Sequence, residues 1–444
     1  MNEIPETMTA LHLVGNGGPE MLVLRHDVAV PVPADDEVLV RVRACGMNNT
    51  DVNTRVGWYS KSVTAATGSS GFDVEVDGDA TWGGSGLAFP RIQGADPCGE
   101  VVALGSEANP ALLGSRVLAD GWIRDPGRPD DRSLAGYLGS ERDGGYAQYC
   151  VIPVRNVYPI DVDLSDAELA SFPCSWATAE HMLTRPAVSA GQTVVITGAS
   201  GGVGTALVQL ARLRGARVVA VTSSAKFADV AACGADACVD RTSEDLVGAV
   251  IEAAGGPVDV LADVVGGPDF APLLEALRRG GRYTTAGAIA GPIVDLDLRT
   301  LYLNDLELYG CTVYEPPVFE ALVGYIRRGE VRPVVAATYP LSDFHAAQEA
   351  LWPRPTRGPW SSPSTERHGR RSVDGRLVGV ERGVESQVGL EQVEGRHFGR
   401  WEFPVVHAYR FGPVAPPESN RPPGDAPTEG GQNDRVPGGH SAGL

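Results

Sequence analysis

The stretch GQTVVITGASGGVGTALVQLARLRGARVVAVTSS, Gly191–Ser224, decides the architecture. Within it Val194–Thr197 is a short β-branched run, Gly198–Gly204 is a glycine-dense turn, Thr205–Arg214 carries Leu207, Leu210 and Ala211 at helical spacing, and Val218–Thr222 is a second β-branched run. This order of patterns predicts a β-turn-α-β unit. A turn so rich in glycine brings a ligand against backbone N–H groups at a helix N-terminus, where an anion is favoured. A dinucleotide pyrophosphate fits there, cradled by Ala199, Gly201, Gly202, Val203 and Gly204. Ala199 stands where the first glycine of GxGxxG is usual, with Gly198 just before it.

The end of the second run, Thr222-Ser223-Ser224-Ala225-Lys226, lacks the carboxylate that holds ribose hydroxyls in an NAD site. Hydroxyls and a lysine accept a 2′-phosphate that a carboxylate would repel. Ser223, Ser224 and Lys226 therefore predict NADPH; the other reading is a solvated strand end.

At 444 residues and 43% hydrophobic, the chain is long enough for two domains. A formal charge of −19 argues against a phosphate-backbone partner, because nucleic-acid binding relies on clustered cations. No apolar run suits a membrane span and MNEIPETMTA has no signal-peptide core, so a cytoplasmic location is expected. The seven cysteines are odd in number and have no CxxC spacing, which reads as thiols packed in the interior.

Outward from the central stretch, Glu37–Ala44 alternates as a half-buried strand should, and Cys45-Gly46-Met47-Asn48-Asn49-Thr50-Asp51 follows it directly. Arg55, Trp58 and Tyr59 come next, and the segment to about Gly86 reads as a long loop. Strand patterns return at Gly99–Leu104, Arg116–Ala119 and Gly145–Pro153. The order of these segments, with GADPCGEVVALGS and TGASGGVG, resembles the medium-chain dehydrogenase/reductase superfamily over about Leu11 to Leu351, closest to its zinc-free, quinone oxidoreductase-like branch. The resemblance implies an α/β protein with a GroES-like, mostly-β catalytic domain (1–158, completed by 314–351) and a doubly wound Rossmann domain (159–313) that binds NADPH.

Zinc-using relatives place ligands at positions matching Asn48, Ala95 and Cys174 here. One thiolate with an amide and a methyl group makes no tetrahedral Zn²⁺ site, so no metal is expected. Asp120–Gly144 has no cysteine, which removes the family's structural zinc as well. Cys174 then reads as a packed thiol rather than a nucleophile.

The resemblance assigns Asn48 to orienting the nicotinamide or the substrate carbonyl, Tyr59 to donating a proton, and Asp51 to the same catalytic segment. Asn48 as a helix N-cap and Tyr59 as a packing residue are the alternatives. Relatives often have tyrosine where this chain has Asn53. Thr178 matches a threonine that reaches the nicotinamide end; Val265, Gly266 and Gly287, at two strand ends, match positions flanking that ring. Leu306–Val313 resembles an edge strand through which relatives pair, implying a homodimer. His181 reads as a core or surface histidine.

From Trp352 onward the chain is rich in Arg, Pro and Gly, and the family's closing strand G-x-L-V-L-x-P is missing. Reading the codons from Leu351 one base out of register permits L-A-x-x-H-x-G-x-L-V-L, with a TGA stop allowed across Thr365 and Glu366. A one-base frameshift would make 352–444 a non-native, disordered tail; a genuine disordered extension is the alternative. The function so implied is NADPH-dependent hydride transfer, without zinc, to a quinone, an enone or another activated carbonyl or alkene. The rivals are alcohol oxidation, or a cofactor-binding protein without turnover.

Overall fold

The structure is a computed structural model and describes residues 3–67, 81 and 86–351, together with the backbone of 404–407. In the N-terminal half, β1 (Thr7–Leu13), β2 (Leu22–Ala29) and the long β3 (Glu37–Met47) lead into helix α1 (Asn49–Val56). β4 (Arg91–Ile92), β5 (Asp96–Leu104), β6 (Arg116–Ala119), β7 (Trp122–Ile123), β8 (Gly136–Tyr137), β9 (Tyr149–Pro153) and β10 (Val157–Pro159) follow. β3 is the hub, antiparallel to both β5 and β9. Its alternation predicts one solvated face, yet Val38, Leu39 and Val40 are all buried, because apolar side chains cover both sides of the strand.

Helices α2 (Asp166–Ala170) and α3 (Pro173–Thr184) connect to β11 (Thr193–Ile196), α4 (Gly202–Leu213), β12 (Arg217–Thr222), α5 (Phe227–Ala232) and β13 (Ala237–Asp240). α6 (Leu246–Ala254), β14 (Val258–Asp263), α7 (Phe270–Leu274), β15 (Leu277–Thr285), α8 (Leu298–Leu303) and β16 (Glu307–Gly310) complete this half. The sheet runs β13-β12-β11-β14-β15-β16 and every pair in it is parallel. This is the doubly wound α/β arrangement expected. Strand order reverses between β11 and β14, and a crevice opens at such a switch point, outside the carboxyl ends of the strands. Leu207, Leu210 and Ala211 bury the inner face of α4, as their spacing predicts.

The chain returns through α9 (Pro316–Arg327), β17 (Ala337–Pro340) and α10 (Phe344–Leu351). One apolar cluster joins the halves: Phe172 and Trp176 at the α3 end pack with Leu118, Trp122 and Tyr137 on one side and with Leu207 and Val260 on the other. At the exit from the parallel sheet, the Tyr314 hydroxyl donates to Asp120 Oδ1 at 2.8 Å, and Arg132 pairs with Glu315.

The tail provides a correction. A sheet lacking its closing strand is the expectation, but β18 (Pro404–His407) lies between β3 and β17, parallel to the first and antiparallel to the second. The end of β3 beyond β9 and the side of β17 present unpaired N–H and C=O groups, and an extended segment satisfies these through its own main chain. Val405 and Val406 are β-branched and suit that conformation. The rest of the tail, 352–403 and 408–444, and 68–80 and 82–85 of the long loop, lie outside the described residues.

Candidate active site

The glycine turn works differently in detail from its sequence reading. Gly198 takes φ +57°, a conformation that glycine adopts at little cost, so the tight turn falls there and not at Ala199. α4 begins at Gly202, three residues before Thr205, with Gly201 extended as its N-cap. A Cβ on Gly204 would stand 2.2 Å from the Gly198 carbonyl oxygen, so only glycine lets the helix sit against the turn. The first-turn N–H groups of Gly202, Val203 and Gly204 precede any acceptor four residues back and point out of the helix at the crevice. This cradle fits a dinucleotide pyrophosphate.

Beyond β12, Ser224–Lys226 forms a short 3-10 turn, and Lys226 Nζ lies 3.9 Å from Asp229 Oδ2. The next parallel strand brings two residues that sequence distance concealed. Asp240 ends β13, and the Thr242 N–H and hydroxyl, then Ser224, hold its carboxyl below the usual range. Arg241 donates its N–H to the Thr222 carbonyl at 2.9 Å and exposes its side chain. The rim thus carries Lys226 and Arg241 with a carboxylate one strand over from β12. The pairing of β12 with β13 was the missing signal.

In the N-terminal half, Asn48 caps α1. Its N–H donates to Asp51 Oδ2 at 2.8 Å, and its Nδ2 donates to Asp96 Oδ2 at 2.9 Å. The other Asp96 oxygen accepts the Cys174 N–H at 3.0 Å, in the first turn of α3. Thr178 follows Cys174 by four residues and so shares its face of α3. Asp51 Oδ2 also accepts from the Tyr146 hydroxyl at 2.9 Å. Burial pushes Asp51 up to about 6 and Asp96 well above the ordinary carboxylate range. The Cys174 thiol meets the Tyr137 phenol, and burial raises both.

The positions of Asn48, Ala95 and Cys174 therefore converge in space, but their donors do not suit zinc. The Asn48 amide turns its N–H side to Asp96, and Ala95 has no donor atom. Among the described residues no group of three or more His, Cys, Asp or Glu is placed to hold a metal ion.

Tyr59 is half-buried; its hydroxyl donates to Thr50 Oγ1 at 3.0 Å, and burial raises its pKa. Arg55 is buried, with Nη1 donating to the Gly17 carbonyl at 2.5 Å, so it ties the loop after β1 to the end of α1. His181 is a core residue, its ring 6.1 Å from Tyr314, and burial lowers it to about 4.

Val265, Gly266 and Gly287 come together as a layered wall. The Asp263 carboxylate gathers the Thr197 and Tyr283 hydroxyls with the N–H groups of Val265, at 2.8 Å, and Gly266, at 3.2 Å. That bonding sets the turn in which Gly266 takes φ +60°. Ala290 N–H donates to the Val265 carbonyl at 2.8 Å, and Thr67 N–H, from the catalytic half, to the Ile289 carbonyl at 3.0 Å. An open cavity of about 360 Å³ lies at this seam, lined by Thr64, Ala66, Gly267, Pro268, Ala290 and Ile293 among others. Asp263 and Tyr283 escaped the sequence reading, although a carboxylate ending the apolar run VDVLAD was a visible signal.

Comparison with known proteins agrees with this architecture. Residues 34–162 match the alcohol dehydrogenase GroES-like domain, and residues 202–328 the zinc-binding dehydrogenase domain. The solved structure of a Sinorhizobium meliloti 1021 protein described as an alcohol dehydrogenase is 48% identical, with a TM-score of 0.71 over 79% of this chain and 95% of that one. Human quinone oxidoreductase is 26% identical over 353 residues, 78% of this chain and 94% of its own. The structure of the 2-octenoyl-CoA carboxylase reductase CinF, solved with NADP and 2-octenoyl-CoA, is 26% identical with a TM-score of 0.66, over 79% of this chain and 86% of that one. With a Rossmann sheet, a GroES-like half and these relatives, the chain belongs to the medium-chain dehydrogenase/reductase superfamily and is quinone oxidoreductase-like within it.

Proposed function

We propose that this protein is a zinc-independent, NADPH-dependent reductase of quinones, enones or other activated carbonyls and alkenes. Two observations support the reading: a glycine turn at the switch point that fits a pyrophosphate, and a polar cluster around Asn48, Asp96 and Cys174 with no zinc-binding donor set. The bound nicotinamide supplies a hydride. Gly202, Val203 and Gly204 hold the pyrophosphate by their N–H groups, and Lys226, Ser223, Ser224 and Arg241 receive the 2′-phosphate. Val265, Gly266 and Gly287 support one side of the ring site, with Thr178 on α3. Asn48 keeps a second amide N–H beyond its bond to Asp96, and orients the ring or the acceptor carbonyl with it. Tyr59 is the proposed proton donor, a phenol protonated at neutral pH whose burial makes it a weaker acid, so its proton passes only to an oxygen on which charge develops. Asp51 acts through Asn48, whose N–H it anchors.

The printed substrates of the relatives, a quinone and an enoyl-CoA, both accept hydride at an electron-poor π-system. Alcohol oxidation is the weaker reading, since a zinc site that would polarise an alcohol has lost two of three donors. The protein is proposed to be cytoplasmic, acting on small molecules and without nucleic-acid or membrane partners; among the described residues no helix is long and apolar enough to cross a membrane.

A homodimer is proposed through β16 and α8. β16 is the last strand of its sheet, and Leu298, Tyr302, Leu303 and Leu308 are 63%, 62%, 54% and 39% exposed. Such an edge with an apolar flank favours strand pairing between copies. The tail is proposed to arise by frameshift, a reading supported by relatives that span 94–95% of their own length while covering 78–79% of this chain.

NADPH oxidation against a panel of quinones and enones tests the function, using the chain as given and a form with the frame-corrected ending after Leu351. Turnover in either form is expected, strongest in the corrected one; NADPH binding without turnover in both would favour a silent binder. Lys226→Ala removes a charge-assisted contact of about 1.5–3 kcal/mol and should raise KM for NADPH about tenfold or more while leaving that for NADH unchanged. Equal effects on both cofactors would contradict the 2′-phosphate role. Sedimentation of the wild type should give a dimer and that of Leu298→Glu/Leu308→Glu a monomer, whereas a monomeric wild type would refute the pairing.

A further inference from the structure

Asp96 is 1% exposed, and it bonds to two elements that are remote in sequence from each other. One oxygen takes the Asn48 amide at 2.9 Å, and the other takes the backbone N–H of Cys174 at 3.0 Å. A Cβ on Gly46 would lie 2.3 Å from the Ala170 carbonyl oxygen and 2.9 Å from both Asp96 Cβ and Oδ2, so only glycine fits between them. A second carboxylate, Asp51, acts on it electrostatically and, with burial, pushes it up. A buried acid of this kind is costly to keep. Its geometry explains what it achieves.

We propose that Asp96 is a positioning residue of this active site, clamping the Asn48 amide and the first turn of α3 into one rigid frame. The inference rests on the reductase reading above. When Asp96 is ionised, each of its oxygens only accepts, Oδ2 from Asn48 Nδ2 and Oδ1 from the Cys174 N–H, and this fixes which way Asn48 faces. The Asn48 oxygen and its second N–H are thereby directed away from Asp96. Since the same carboxylate caps α3 from outside the helix, the turn carrying Cys174, with Thr178 one turn on, cannot shift without moving the Asn48 amide too. A frame of this kind holds reacting groups within the narrow range that hydride transfer requires.

Asp96→Asn keeps the size of the side chain and the acceptor for Cys174 but presents an NH₂ to the Asn48 NH₂, so Asn48 must flip or withdraw. The expected result is a kcat about tenfold or more below wild type with KM for NADPH within about threefold. The primary deuterium isotope effect on kcat with 4-deuterated NADPH should rise, since misplacement slows the hydride step itself. A fall in active-site titre with an unchanged isotope effect would mean only partial unfolding and would overturn the proposal, as would a kcat within twofold of wild type. Hydrogen exchange tests the clamp without turnover: in Asp96→Ala, peptides covering 48–53 and 172–178 should both exchange faster than in wild type. Unchanged protection in either segment would overturn the clamp, whereas faster exchange in both, in a protein that turns nothing over, would leave the clamp standing and dispose of the reductase reading alone.

Discussion

Gly46 at the end of β3 already pairs with Asp96 at the start of β5, and the two hydrogen bonds of the Asp96 carboxylate tie that junction to the Asn48 amide and to the first turn of α3. The Asn48 amide and the first turn of α3 are placed relative to that junction. β3 delivers Asn48 because it is held on both sides by β5 and β9, and α3 delivers Thr178 because Phe172 and Trp176 anchor it in the cluster that joins the halves. The polar contacts are few and the apolar packing is extensive, so direction comes from the first and rigidity from the second.

The nucleotide half applies the same economy with a second buried carboxylate. Asp263 collects two hydroxyls and two backbone N–H groups, and thereby freezes a turn that would otherwise be a loose glycine pair. Parallel pairing of β11 with β14 then sets that turn beside the Gly198 turn, at the point where strand order reverses. The seam with the other half, where the Thr67 N–H meets the Ile289 carbonyl, leaves open room beside this turn.

The fold was legible in the sequence because its signals are local. VVIT, the glycine turn and the Leu207-Leu210-Ala211 face lie in one short stretch, and the structure has the strand, the turn and the helix there in that order, with their boundaries shifted by one to three residues. The start of α4 was read three residues late because glycines score poorly as helix formers although the first turn tolerates them. The site was only partly legible. Asn48, Cys174 and Thr178 were singled out, but Asp96, Asp240, Arg241 and Asp263 act through partners on other strands, and a single sequence carries no mark of such pairings. The tail misled for a different reason: β pairing depends on main-chain groups, so a segment outside the recognisable pattern can still fill an open edge.

Metal content measured on the active enzyme tests most directly the proposed zinc-free centre in which an amide and a carboxylate take the place of a metal. Elemental analysis by mass spectrometry on protein purified without chelator should find less than about 0.1 zinc per chain, and NADPH oxidation should be unchanged after dialysis against a strong chelator, since one thiol, an amide and a methyl group cannot retain the ion. Stoichiometric zinc lost together with activity on chelation, and regained with it on re-addition, would contradict the account.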